Sequence, residues 1–265
     1  MRKEIKVRYT ASVLGAVWSL LNPLIFMVVF AFVSLVLGGG IPKIGIFLLS
    51  GLLAWNVFSV AMNHGAQVVI SNASLVKKVY FPREILPLTS IGIALFDFVL
   101  QSAVFLLLLP IFGYGLHAFV LWLYPMSFLA LLLFTLAMTL WASSMNVRYR
   151  DVQHLLGIAL LVWFWATPIV YAPYLVQQKL GQWSLFGISA WHLYLLNPLV
   201  TIIAGFQRAL YSEVHPPGAT QPVLFETTLG WLAATLGIVI VTSAALLYLT
   251  WRTFFKLSGD FAEEL

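Results

Sequence analysis

The chain alternates long apolar runs with short clusters of charge. Arg2, Lys3, Glu4, Lys6 and Arg8 open it, and the next charge is Lys43. Lys77, Lys78, Arg83 and Glu84 form a second cluster, Asp97 stands alone, and Arg148, Arg150 and Asp151 form a third. Lys179, Arg208, Glu213 and Glu226 are scattered, and Arg252, Lys256, Asp260, Glu263 and Glu264 lie near the end. A helix crosses lipid in about 20 residues, and the intervals between clusters are long enough. They predict six spans, at 22–38, 44–63, 86–110, 118–144, 155–173 and 229–251. The first is short, because the apolar run after Pro23 ends in Gly38-Gly39-Gly40.

Three segments do not fit as simple spans. In residues 1–21, Ile5, Tyr9, Val13, Ala16, Val17 and Leu20 recur at helical spacing, with Arg2, Lys6, Thr10 and Ser19 largely off that stripe. Such a basic amphipathic helix lies at the headgroup level, and Pro23 ends it. It reads either as a topology anchor or as a contact for a phosphate-bearing lipid. A cleavable signal peptide is disfavoured, because Tyr9 to Ser19 is too polar for its apolar core. The 64–85 segment joins two spans. Ser71, Asn72 and Ser74 are N-cap candidates for a short helix through Lys78 that Pro82 ends. Val79, Tyr80 and Phe81 are then exposed, as a protein contact or dipping back into the interface. Residues 174–228 are too apolar for an ordinary loop. Stretches 183–196 and 198–211 meet at Asn197-Pro198 and are too short to span, which predicts a re-entrant external helical hairpin.

Composition strengthens this reading. Hydrophobic residues make up 62% and charged residues 9% of 265, with mean hydropathy +0.97. Soluble globular proteins have roughly 45–50% and about 25%. Soluble enzymes, disordered chains and nucleic-acid binders are excluded. The net charge of +5 is instead topological. Six spans put both termini on one side, with 11 of the Lys and Arg residues there and 3 on the other. That asymmetry makes both termini cytoplasmic. The whole chain, 1–265, reads as one membrane domain: all-α and polytopic, with six transmembrane helices, an interface helix and the external hairpin.

Catalytic chemistry is sparse. The sequence has no cysteine, no G-x-x-x-x-G-K-[ST] phosphate loop and no zinc spacing. No cofactor is expected on this chain. Asp97 is the one ionisable side chain well inside a predicted span, with Gln101 one turn on as a hydrogen-bond partner. No relay of such groups accompanies it, so a structural or cavity-facing role is preferred to proton carriage. Trp163, Phe164, Trp165, Tyr171 and Tyr174 concentrate at the fifth span. They read as an aromatic belt or as a glycan pore or exit, since sugar rings pack on aromatic faces.

Several segments together resemble the type-2 ABC export permeases. They are Arg8-Tyr9-Thr-Ala-Ser12 through Trp18 and Asn22-Pro23; Phe81-Pro82-Arg83-Glu84 through Pro87; and Arg148-Tyr149-Arg150-Asp151 with Pro168-Ile-Val-Tyr171. Asn197-Pro198 with Arg208 and the tail Phe255 to Ala262 complete the ordered set. The most similar subgroup exports lipid-linked polysaccharides such as O-antigen, teichoic acid or capsule across the bacterial inner (plasma) membrane. The resemblance implies a homodimer with a pore between protomers and two separate ATPase subunits that bind ATP and Mg. It also implies ATPase coupling through the 64–85 loop, at Val79, Tyr80, Phe81, Arg83 and Glu84, and gate helices in 174–228. On that reading Lys6 and Arg8, with Arg2 and Lys3, receive the diphosphate of a polyprenyl-linked glycan. Two alternatives stay open: a permease of the same family for a drug or small lipid, and a self-contained carrier using Asp97.

Overall fold

The computed structural model describes residues 21, 24–25, 27–29, 32–33, 41–78, 81–185, 187–219 and 221–264. The described residues between 21 and 33 are helical. The interface helix with Arg2, Lys3, Lys6 and Arg8, most of the first predicted span, and Val79 and Tyr80 lie outside the described residues.

From residue 44 the helices are α1 (Ile44–Ser71), α2 (Ala73–Lys78), α3 (Ile85–Ile111), α4 (Ala118–Leu121), α5 (Leu123–Arg148), α6 (Val152–Trp165) and α7 (Pro173–Gly181). A two-residue antiparallel pair, β1 (Ser184–Leu185) with β2 (Ile188–Ser189), precedes α8 (Ala190–Tyr194), α9 (Pro198–Leu210), α10 (Leu229–Ser258) and α11 (Phe261–Glu264). Among the described residues, four helical stretches are long and apolar enough to cross a membrane: Ile44–Ser71, Ile85–Ile111, Ala118–Arg148 and Leu229–Ser258. At 1.5 Å per residue, the 28-residue α1 is about 42 Å long, against about 30 Å of hydrocarbon.

The central element is α1, with α3, α5, α6 and α9 packed around it, while α10 lies mainly on α5. In the most apolar window of α1 78% of residues are buried, against 22% in α10. The outward side of α10 is apolar at Ile238, Val241 and Leu249, as lipid requires. Helices approach closely where one lacks a side chain. A Cβ on Gly65 would overlap the Thr139 methyl, and one on Gly205 would overlap Ser127 Oγ.

The structure departs from the sequence expectations in four places. The fifth predicted span, 155–173, is helical only to Trp165. Fourteen helical residues reach about 21 Å, short of the hydrocarbon thickness by themselves, so the non-helical residues 166–172 complete the path to the other end, and Pro168 disfavours continuation of the helix before it. Stretch 183–196 is not one helix. Gly187, at φ 78°, turns the strand pair, and only Ala190–Tyr194 is helical after it. By contrast 198–210 is helical, starts with Pro198 at its first turn, and is buried on nearly every residue. Third, α1 runs on through His64 to Ser71, so the connection begins later than residue 64. Fourth, Phe81 is half-buried against an apolar cluster rather than exposed.

Candidate functional site

The bundle has two dissimilar ends. At one, Lys77, Lys78, Arg83, Arg148, Arg150, Arg252 and Lys256 gather; at the other, the described cations are Lys43, Lys179 and Arg208. The first end presents α2. Its start is dictated by Asn72, whose side chain donates to the Val68 carbonyl at 2.8 Å, closing α1. The Asn72 carbonyl accepts from Leu75 and Val76 N–H, opening α2. Asn72 therefore closes the preceding helix with its side chain rather than capping the next one. Val76 points inward and is buried, whereas Ser74, Leu75, Lys77 and Lys78 are exposed. Pro82 follows, and Arg83 Nη1 donates to the Gly259 carbonyl at 3.3 Å. Glu84 precedes α3 and is half-exposed. The exposed face of α2 combines an apolar Leu75 with two cations, a surface suited to a protein contact.

The middle of the bundle holds polar groups at helical spacing. Ser90, Ala94, Asp97 and Gln101 share the buried side of α3, with Asp97 only 3% exposed. The Asn56 amide of α1 donates to Gln101 Oε1 at 3.0 Å. Lower down, Asn146 of α5 donates to the Ala66 carbonyl of α1 at 2.7 Å and accepts from Gln153 N–H of α6 at 3.1 Å.

The aromatic group at the fifth span divides. Trp163 packs edge-on against Phe58 at 5.1 Å, and its indole N–H donates to Asn197 Oδ1 at 2.8 Å. The same oxygen caps α9 through Leu199 N–H at 3.1 Å. Phe164 is buried against Trp55. Trp165 is exposed, and Tyr171 and Tyr174 are half-exposed. The Tyr171 hydroxyl donates to the Trp165 carbonyl at 2.9 Å, beside Tyr194. Trp163 and Phe164 therefore tie α6 to the core, while Trp165, Tyr171 and Tyr174 offer aromatic surface.

The opposite end is tied by Lys43, Tyr114 and Tyr211. Lys43 Nζ donates to the Gly113 carbonyl at 3.0 Å and lies 4.8 Å from the Tyr114 ring centroid. Tyr114 stacks on Tyr211 and donates its hydroxyl to the Tyr211 carbonyl, while Tyr211 donates to the Pro42 carbonyl at 2.8 Å. Burial, with Glu213 nearby and Arg208 opposing, pushes the Tyr114 hydroxyl up to about 12. Among the described residues no cluster of three or more His, Asp or Glu could hold a metal ion.

The structure thus defines a class: an apolar helical bundle with a short helix displayed at its basic end and a buried, proline-initiated helix wedged into its core. The chain belongs to the ABC-2 type transporter family, whose model matches residues 1–211, and so is a membrane transport subunit. It is 32% identical over 239 residues to an O-antigen export system permease protein of Myxococcus xanthus, covering 89% of this chain and 88% of that one. It is 29% identical over 215 residues to an O-antigen export system permease protein of Klebsiella pneumoniae, covering 80% and 78%.

Sequence reading singled out Asp97, Gln101, Arg83 and the Asn197-Pro198 pair but missed Asn56, Asn146, Tyr114 and Tyr211. An amide inside an apolar run was available as a signal for the first two. The tyrosines are 97 residues apart and meet only in the fold.

Proposed function

We propose that this chain is the transmembrane subunit of an ATP-driven exporter that moves a lipid-linked polysaccharide of the O-antigen type across the bacterial inner membrane. The observation that carries the reading is similarity over most of its length to export permeases of that name in two bacteria. The pore lies between two copies, and two separate ATPase subunits, which bind ATP and Mg, supply the energy. The basic end faces the cytoplasm, as the distribution of Lys and Arg favours, and both termini lie there. On this reading α2 and the residues after it, Val79, Tyr80, Phe81, Arg83 and Glu84, dock the ATPase. Lys6 and Arg8, with Arg2 and Lys3, receive the glycan-linked diphosphate, because burying that charge uncompensated costs many kcal/mol. The exposed Arg148 and Arg150 are the next candidates. Trp165, Tyr171 and Tyr174 lie along the path of the glycan.

The test is co-purification with a candidate ATPase, followed by ATP hydrolysis in lipid vesicles. Hydrolysis is expected to rise with polyprenyl-diphosphate-linked glycans. A rise with drugs or short lipids alone favours the same-family alternative. Asp97→Asn keeps the shape and removes the carboxyl group. Export is expected to survive it at pH 6 to 8 (roughly the physiological range); abolished export would favour a carrier that uses Asp97.

A further inference from the structure

We propose that the C-terminal turn and α11 form a latch that fixes the orientation of α2, with Phe261 and Phe254 as positioning residues. This rests on the reading of α2 as the ATPase-docking helix. A six-residue helix is unstable alone, and Val76 is the only residue of α2 that is buried. Its tilt is therefore set by what lies beneath Val76. That is an apolar cluster distinct from the main core, with Val69, Leu86, Val147, Phe254 and Phe261 in it. Phe254 and Phe261 meet edge to face at 5.4 Å and are each 1% exposed. They come together because α10 ends at Ser258 and the chain turns back, Asp260 N–H bonding to the Leu257 carbonyl at 3.1 Å. The same turn holds the far flank of the connection, since Gly259 supplies the carbonyl that Arg83 grips. α11 touches both α2 and α5. The latch lies beyond residues 1–211, the part that the family model matches. α10 packs mainly on α5, and near its lower end Phe254 is buried in the same cluster as Phe261 and Val76. A displacement of that end is therefore felt at Phe261 and at α2. The latch thus links a peripheral spanning helix to the docking surface.

The sequence has no cysteine, so a spin label at Ser74→Cys reports α2 and one at Trp183→Cys, at the far end, serves as control. In the full chain reconstituted with its ATPase, Phe261→Ala is expected to mobilise the label at 74 and leave that at 183 unchanged. Co-purified ATPase should fall about tenfold, close to 1.4 kcal/mol, and Phe261→Leu should restore most of it. An unchanged label at 74, or equal loosening at both positions, overturns the latch. Leu75→Ser, on the outer face of α2, tests docking separately. If Leu75→Ser loses the ATPase while Phe261→Ala keeps it, docking stands and the latch fails. If Leu75→Ser keeps it, the docking reading fails, and the label at 74 still decides whether Phe261 orients α2.

Discussion

Asn146 carries more structure than its size suggests. Its amide satisfies one carbonyl of α1 and one of the free N–H groups at the start of α6, a helix end that needs such partners. Asn146→Leu leaves Gln153 N–H without that acceptor and is expected to cost about 1–3 kcal/mol, measured as thermal unfolding in detergent. Tyr114 offers a test by pH. Its hydroxyl is raised to about 12 from 10.0, so the folded state keeps a proton that the unfolded chain has shed between those values. The stabilisation is complete below pH 10 and drains away as pH rises towards 12. Melting temperature should therefore fall over that window, and Tyr114→Phe should remove this component of the fall. At this scale the sequence was informative only where a polar atom interrupts an apolar run. Asp97 stood out for that reason, whereas Tyr211, the last residue of the 198–211 stretch, carried no such signal.

Among the elements, small residues decide how closely helices approach. Gly65 sets α1 against Thr139 of α5, and Gly205 sets α9 against Ser127. Gly65→Val forces the two helices apart and is expected to destabilise by about 1–3 kcal/mol. Shrinking the partner tests the cause: Thr139→Ala combined with Gly65→Ala should recover much of the loss seen for Gly65→Ala alone in a denaturation series. Periodicity and length located the long helices, because about 20 apolar residues have few other uses. They misjudged α6 and the 183–196 stretch. An apolar run records that a segment is buried or meets lipid, and does not record whether its backbone turns within that environment. The turn after Trp165 was visible in Pro168, whose steric effect on the preceding residue is local. The strand pair depends on Gly187 adopting a positive φ, which glycine permits but does not compel.

For the molecule as a whole, the two ends give a direct test of sidedness. Single cysteines at Trp183, 72% exposed at one end, and at Lys77, exposed at the other, should be labelled from opposite faces of the membrane. Labelling of both from one face would overturn the proposed orientation. Native mass measurement of the complex should find two copies of the chain with two ATPase subunits, and one copy would remove the shared pore. Membrane residence, the long helices and the asymmetry of charge were determined by the sequence itself, because each is a sum over many residues that no packing detail can reverse. Only the tertiary structure decided that α9 is wedged inside the bundle and that Phe261 lies under α2. It alone joined Lys43, Tyr114 and Tyr211 into one tie. In each of these the partners are far apart in the chain. Local pattern encodes burial and hydrogen-bonding need, but the identity of the partner is fixed only when distant surfaces fit.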